Sequence, residues 1–196
     1  MIEQGAASED EFVLAFLRAE VDSPKWGQDY ERVLRDLGLD RVSLIDVTDL
    51  ADARVGGIRK AVLGAVRGYD RDEALFTGFP RATTWRRVQV EPSDFHRLKC
   101  INKDEQWSKL TAGTRLIQQA ARNLDAYPEL AVRVRGAIRR IEQRLSVAEL
   151  IMVETNSSDL IVVEGHTRAT AYVVLSDRAF PAFIGTSPLM SRWHFI

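Results

Sequence analysis

The sequence predicts an α+β protein, with a helical N-terminal extension over residues 1–80 and a strand-containing domain over residues 81–196. Three observations carry that prediction. Apolar residues recur at helical spacing through the first third of the chain. Beyond residue 80 the pattern becomes the near-alternation Trp85-Arg86-Arg87-Val88-Gln89-Val90 of a half-buried strand. Further on, the β-branched run Leu160-Ile161-Val162-Val163 stops at Glu164-Gly165 and small, helix-compatible residues come at once. That reads as strand, glycine turn and helix.

Residues 1–8 are small and polar and are expected to fray. Ser8 and Glu11 form a capping box for a helix over 9–21, with Phe12, Val13, Phe16 and Leu17 on one face. After a turn at Asp22-Ser23-Pro24-Lys25, a second helix over 28–37 carries Tyr30, Val33, Leu34 and Leu37 and stops at Gly38. A short apolar piece over 42–47 leads to Thr48 as an expected cap, then to a helix over 49–67. Its interior Gly56-Gly57 costs about 1 kcal/mol per glycine against alanine, and close helix packing is the expected reason for it. This first third shows no recognisable chemistry. Phe76 and Phe79, in a loop that ends at Pro80, are expected to plug the seam between the helical extension and the strand-containing domain.

After the strand at 85–90, Pro92 opens a short helix over 93–98, and a second helix runs from Thr114 to about residue 124. The longest regular helix is expected over 128–145. Leu130, Val134, Ala137, Ile138, Ile141 and Leu145 form its apolar stripe, and Arg133, Arg135, Arg139, Arg140 and Arg144 occupy the remainder. Strands over 147–154, 160–164 and 182–185 and a helix over 167–175 complete the domain. The tail, with Trp193 and Phe195, is expected to fold back on it.

With 27 basic and 28 acidic residues the net charge is −1, so the basic excess of a protein devoted to holding nucleic acid is missing overall. The single cysteine, Cys100, rules out an internal disulfide framework and suits a reducing cytoplasm. The start lacks the basic region of a secretion signal, and no apolar run is long enough to cross a bilayer. A soluble cytoplasmic protein without membrane contact is expected. Walker-type, dinucleotide-binding, nucleophile-elbow and H-E-x-x-H patterns are missing, and His96, His166 and His194 share no metal-ligand spacing.

Candidate chemistry gathers at Glu164-Gly165-His166-Thr167-Arg168. The first N–H groups of a helix have no partner inside it and lie at the positive end of its dipole. Gly165 offers no side chain to block approach, and Arg168 carries a planar fork suited to phosphate. The turn is thus a candidate phosphate site, cradled by Gly165 and the N–H groups of His166, Thr167 and Arg168. Glu164 is a candidate base or Mg²⁺ holder, and His166 a candidate donor to a transferring phosphoryl group. Gly113-Thr114-Arg115 repeats a glycine–hydroxyl–arginine helix start, which makes Arg115 a candidate second clamp. A simpler reading of the same residues is that Gly165 makes the turn, Arg168 pairs with a carboxylate and Thr114 is an ordinary cap.

The strand–E-G-H-x-R–helix pattern, with the preceding strand, the polar turn Asn156-Ser157-Ser158-Asp159 and a closing strand, resembles the ParB/sulfiredoxin-like superfamily. The resemblance covers roughly the last quarter of the chain. It implies a small mixed sheet with packed helices and a nucleotide phosphate at the Gly165 turn. The expected cofactor is ATP or another nucleotide with Mg²⁺. The sulfiredoxin branch places a reacting cysteine before the histidine, and His166 comes directly after Gly165 here, which argues against sulfinic-acid reduction. In the chromosome-partitioning branch a DNA-reading domain comes next, and the roughly 20 residues after 175 leave no room for one. The nearest pattern is that of a free-serine kinase branch, D-G-H-H-R, from which this chain departs by Glu164 for Asp and Thr167 for His.

Two functional classes are implied. One is a nucleotide-binding enzyme, a small-molecule phosphotransferase or NTPase using residues 165–168. The other is a ParB-like nucleic-acid-binding or nuclease module, which needs the arginines from Arg133 to Arg144 to run continuously into the Gly165 turn. A third outcome, a non-catalytic interaction domain, would leave the turn plugged by a neighbouring carboxylate.

Overall fold

The computed structural model describes residues 1–46, 49–102 and 105–196; the expected cap Thr48 lies outside them. The protein is α+β, with a mixed six-stranded open sheet. Its strands are β1 (Ile2–Ala7), β2 (Thr84–Val90), β3 (Leu98–Cys100), β4 (Leu150–Glu154), β5 (Leu160–Glu164) and β6 (Phe180–Thr186). They lie in the order β1-β2-β6-β4-β5-β3. The β6–β4 and β5–β3 pairs are parallel and the others antiparallel. Among the described residues no helix is long and apolar enough to cross a membrane.

Residues 2–7 do not fray. They form an edge strand from Ile2 opposite Gln89 to Ala7 opposite Trp85. Small residues give no periodicity to read, yet the open edge of β2 supplies the hydrogen bonds that a lone segment lacks. The short β3 is a second departure from the sequence-based expectation. Leu98, Lys99 and Cys100 pair with Leu160, Ile161 and Val162 directly after the turn Pro92–Arg97.

Helices cover both faces of the sheet. On one face lie α1 (Glu9–Glu20), α2 (Gly27–Asp36) and α3 (Ala53–Arg67). The other carries α4 (Glu105–Leu110), α5 (Ile117–Arg122), α6 (Pro128–Glu142) and α7 (His166–Leu175). Strand alternation distributes the core between them: Leu150, Met152, Leu160 and Val162 face the second group, while Ile151, Val153, Ile161 and Val163 face the first. A strand buried on both faces reads as a continuous apolar run, which is why 160–163 stands out in the sequence.

Local chemistry explains the helix boundaries. Ser8 Oγ accepts from the Glu11 N–H at 3.2 Å, and Glu11 Oε2 accepts from the Ser8 N–H at 2.7 Å, so the capping box is present. The third helix starts later than the sequence predicts, because Asp52 Oδ1 caps it by accepting from the Arg54 and Val55 N–H groups. A methyl group on Gly56 would sit 3.2 Å from the Asp10 carboxyl carbon, so α1 and α3 approach too closely there for a side chain. Phe76 and Phe79 pack with Phe16, Tyr69, Trp85 and Trp193 between the α1–α3 layer and the sheet. The tail is anchored by Trp193, whose indole N–H donates to the Leu75 carbonyl at 2.8 Å.

A cleft between the Gly165 turn and the first helical layer

The end of β5 delivers Glu164 and Gly165 to the sheet margin, where the C-terminal ends of α1 and α3 meet it. A cleft of about 400 Å³ opens between them. Glu164, Gly165, His166, Thr167 and Arg168 form one wall; Glu20, Lys25, Trp26 and Arg67 form the other. Trp107 and Arg133 also line it.

On the turn side the backbone is as expected. Gly165 is left-handed, with φ at +106°. A Cβ there would meet Leu150 Cγ at 3.0 Å and Arg168 Nη2 at 3.1 Å, so glycine is required on two counts. The side chains around it are engaged with the protein itself. Arg168 folds back over Gly165, donating to the Ala148 carbonyl and to Glu164 Oε1, each at 2.8 Å. Its fork is therefore spent on the turn, and Glu164 is spent with it. The Nε2 of His166 accepts from the Ile101 N–H at 3.4 Å, and its ring lies 5.2 Å from that of Trp107. That bond ties the residue after β3 to the start of α7. Thr167 Oγ1 accepts from Arg133 Nη2 at 3.3 Å. What the turn still offers the cleft is backbone: the first N–H groups of α7, which have no partner within the helix.

Arg115 does not line this cleft. Its Nε donates to the Cys100 carbonyl at 2.9 Å and its Nη2 to the Phe195 carbonyl at 3.1 Å, so it staples β3 to the tail. Burial lowers its pKa. Among the described residues no three His, Cys, Asp or Glu side chains gather where they could hold a metal ion.

The opposite wall comes from the third of the chain whose sequence shows no chemistry. Arg67 stacks on the Trp26 ring, 3.9 Å from its centroid, and its Nε lies 3.3 Å from Glu20 Oε2. Among the described residues its two Nη groups have no hydrogen-bond partner. The guanidinium is thus fixed in place with its donors open to the cleft. Lys25 Nζ is 5.4 Å from the same ring. Glu20 is 1% exposed. Its Oε2 accepts from the Tyr30 hydroxyl at 2.8 Å, and its Oε1 has no partner among the described residues. Burial first, then the charge of Glu164, pushes the Glu20 carboxyl up to about 8, against the pull of Arg67, Tyr30 and Lys25. Burial and the neighbouring carboxyl also raise Tyr30, which keeps it a donor.

One signal in the sequence marks this wall. Phe12, Phe16 and Glu20 are spaced by four, so the carboxyl sits on the apolar stripe of its own helix. A charge in that position is buried, and a buried charge needs a partner. Nothing comparable marks Arg67, whose placement depends on how α3 packs.

Comparison of the chain with family models, with curated proteins and with solved structures returns no match.

Proposed function

We propose that the cleft binds a phosphate-bearing small molecule, a nucleoside di- or triphosphate in class, on a ParB/sulfiredoxin-like scaffold. The observation that carries this reading is Arg67: a planar cation held by Trp26 and Glu20, with its terminal donors open towards the first turn of α7. Charge-assisted bonds from a guanidinium fork and backbone N–H groups at a helix start are the two recurrent ways of holding a phosphate, and here they face each other. Lys25 and Arg133 add positive charge around the rim. Arg168 acts by holding the turn in shape. Phosphoryl transfer or hydrolysis is the reaction class that such a ligand would serve. Mg²⁺, where it takes part, would enter with the phosphates.

A second reading rests on the Arg133–Thr167 bond. It joins the exposed arginine face of α6, with Arg140 further along, to the same turn; Arg144 lies beyond the helix end at Glu142, in a left-handed conformation. That continuity suits a nucleic-acid strand, whose binding would weaken steeply with salt.

The test is thermal stabilisation by a panel of nucleoside di- and triphosphates, with and without Mg²⁺, on the wild type and on Arg67→Ala. A ligand at 100 times its dissociation constant adds about 2.7 kcal/mol of stability. The expected result is a nucleotide-dependent rise in melting temperature that Arg67→Ala loses. No rise with any nucleotide in a folded wild type sinks the reading. A salt-sensitive complex with a single-stranded oligonucleotide would then favour the second.

A further inference from the structure

The orphan oxygen of Glu20 adds something to the phosphate reading, on which this inference rests. A carboxylate sealed from water with one oxygen unpartnered is a costly arrangement, and it lies directly behind the guanidinium that faces the ligand. The geometry has two consequences. An ionised Glu20 would neutralise Arg67 from behind and would repel an incoming anion across the cleft. A protonated Glu20 keeps its contact with Tyr30 and its place against Arg67, while the guanidinium charge stays available to the ligand.

We propose that Glu20 is the positioning residue of the Arg67 clamp and serves it as the neutral acid, so that binding of a phosphate anion in the cleft requires a proton on Glu20. The site thereby couples the α1–α3 layer to the Gly165 turn: the turn receives the anion, and the proton held in the facing layer sets how strongly the clamp attracts it. The charged and titratable groups around Glu20 are consistent with that assignment. Tyr30 on α2 donates to Oε2, and Arg67 on α3 lies against the same oxygen. Lys25 in the α1–α2 turn and Glu164 at the end of β5 act on it through space, the first favouring ionisation and the second opposing it. His166, Arg168 and Arg133 line the far side of the cleft, where Arg168 is paired with Glu164 and Arg133 is bonded to Thr167. The net balance lifts the proton affinity of Glu20 into the neutral range, as burial of a carboxyl beside a second carboxyl should.

The experiment is calorimetric titration of the full chain with ADP between pH 7 and pH 9, with Glu20→Gln and Tyr30→Phe beside the wild type. The last phosphate proton of such a ligand leaves near pH 6, below the window, and lysine titrates above it. Wild-type affinity is expected to fall with rising pH through a midpoint near 8, approaching tenfold per pH unit beyond it. Proton uptake should show as a dependence of the heat on the buffer's ionisation enthalpy. Glu20→Gln keeps the shape and lacks the titration, so its affinity should be flat and close to the wild type's acid limit. Tyr30→Phe removes a bond that favours the ionised form, so its midpoint should move upwards.

A wild type that binds ADP with no change from pH 7 to pH 9 overturns the role of Glu20 while leaving the phosphate site standing. A Glu20→Gln profile that tracks the wild type's does the same. Failure of the wild type to bind at any pH overturns both. Should Glu20→Gln not fold, carbon-detected NMR titration of the Glu20 carboxyl in the unliganded wild type decides: a midpoint near 8 supports the assignment, and one near 4 refutes it.

Discussion

On the turn side of the cleft the polar side chains of Glu164, His166, Thr167 and Arg168 all have protein partners, whereas on the α1–α3 side Arg67 and Glu20 keep unpartnered atoms. The side with a recognisable sequence pattern is chemically satisfied, and the side without one is open. This is what the turn's geometry demands. A left-handed glycine at the end of a buried strand leaves the Ala148 carbonyl and the Glu164 carboxyl near the sheet margin, and Arg168 satisfies both. The arginine of such a pattern can therefore belong to the fold, with the ligand's cation supplied by whichever layer packs opposite.

If the two sides divide their labour in this way, each can be broken separately. The largest effect is expected at Arg59, which holds the α1–α3 layer together. It is wholly buried, and its Nε donates to the Leu44 carbonyl at 2.7 Å while Nη1 donates to Asp10 at 2.8 Å and to the Asp49 carbonyl at 2.9 Å. Removing one partner of a buried ion pair leaves the other uncompensated, at a cost of about 3–5 kcal/mol. Arg59→Ala should lower the urea midpoint accordingly, and ligand binding should vanish with the layer that carries Arg67. A loss below about 1 kcal/mol would mean that the layer does not depend on this residue.

Arg168→Ala should have an intermediate effect, and of the opposite kind to Arg67→Ala. It strands the Ala148 carbonyl and the Glu164 carboxyl, so about 2–3 kcal/mol of stability should be lost, as for hydrogen bonds to charged groups. Affinity should fall less than in Arg67→Ala, which in turn should cost little stability. Paired urea melts and nucleotide titrations of the two variants check this. The division fails if Arg168→Ala abolishes binding at unchanged stability.

Much of this architecture was legible in the sequence, for definite reasons. The capping box at Ser8 and Glu11, the arginine helix with its apolar stripe, and the strand–glycine–helix at Leu160–Gly165–Tyr172 are local patterns, and local patterns survive folding. The edge strand from Ile2 to Ala7 was hidden because its small residues alternate nothing; only the open edge of β2 gives it a structure. Leu98–Cys100 was hidden for the related reason that three residues hold too little periodicity to read. In the cleft, the Gly165 turn was legible and the use of Arg168 was not, because the Ala148 carbonyl that captures it belongs to a different segment. Arg67, Trp26 and Lys25 carry no motif, and they meet the turn through packing between segments far apart in the sequence. Glu20 alone left a trace, as a charge on an apolar stripe.

The smallest expected effect tests whether the cleft continues into the arginine face. Arg133 is exposed and is tied to the turn by the 3.3 Å bond to Thr167 Oγ1, so Arg133→Ala should change stability by less than about 0.5 kcal/mol. Its consequence for binding separates two geometries. If the ligand is a nucleotide held between Arg67 and the α7 N–H groups, Arg133 is a rim charge, and its loss should weaken binding only a few-fold and mainly at low salt. If a nucleic-acid strand runs from the turn along α6, Arg133 is the first of several phosphate contacts with Arg140 beyond it. Its removal should then reduce the slope of log affinity against log salt by about one. Measuring oligonucleotide and ADP affinity of Arg133→Ala across a salt series reads both. A large loss of ADP affinity that persists at high salt would move the anion seat away from Arg67 and towards α6, and would require the two walls of the cleft to exchange the roles assigned to them.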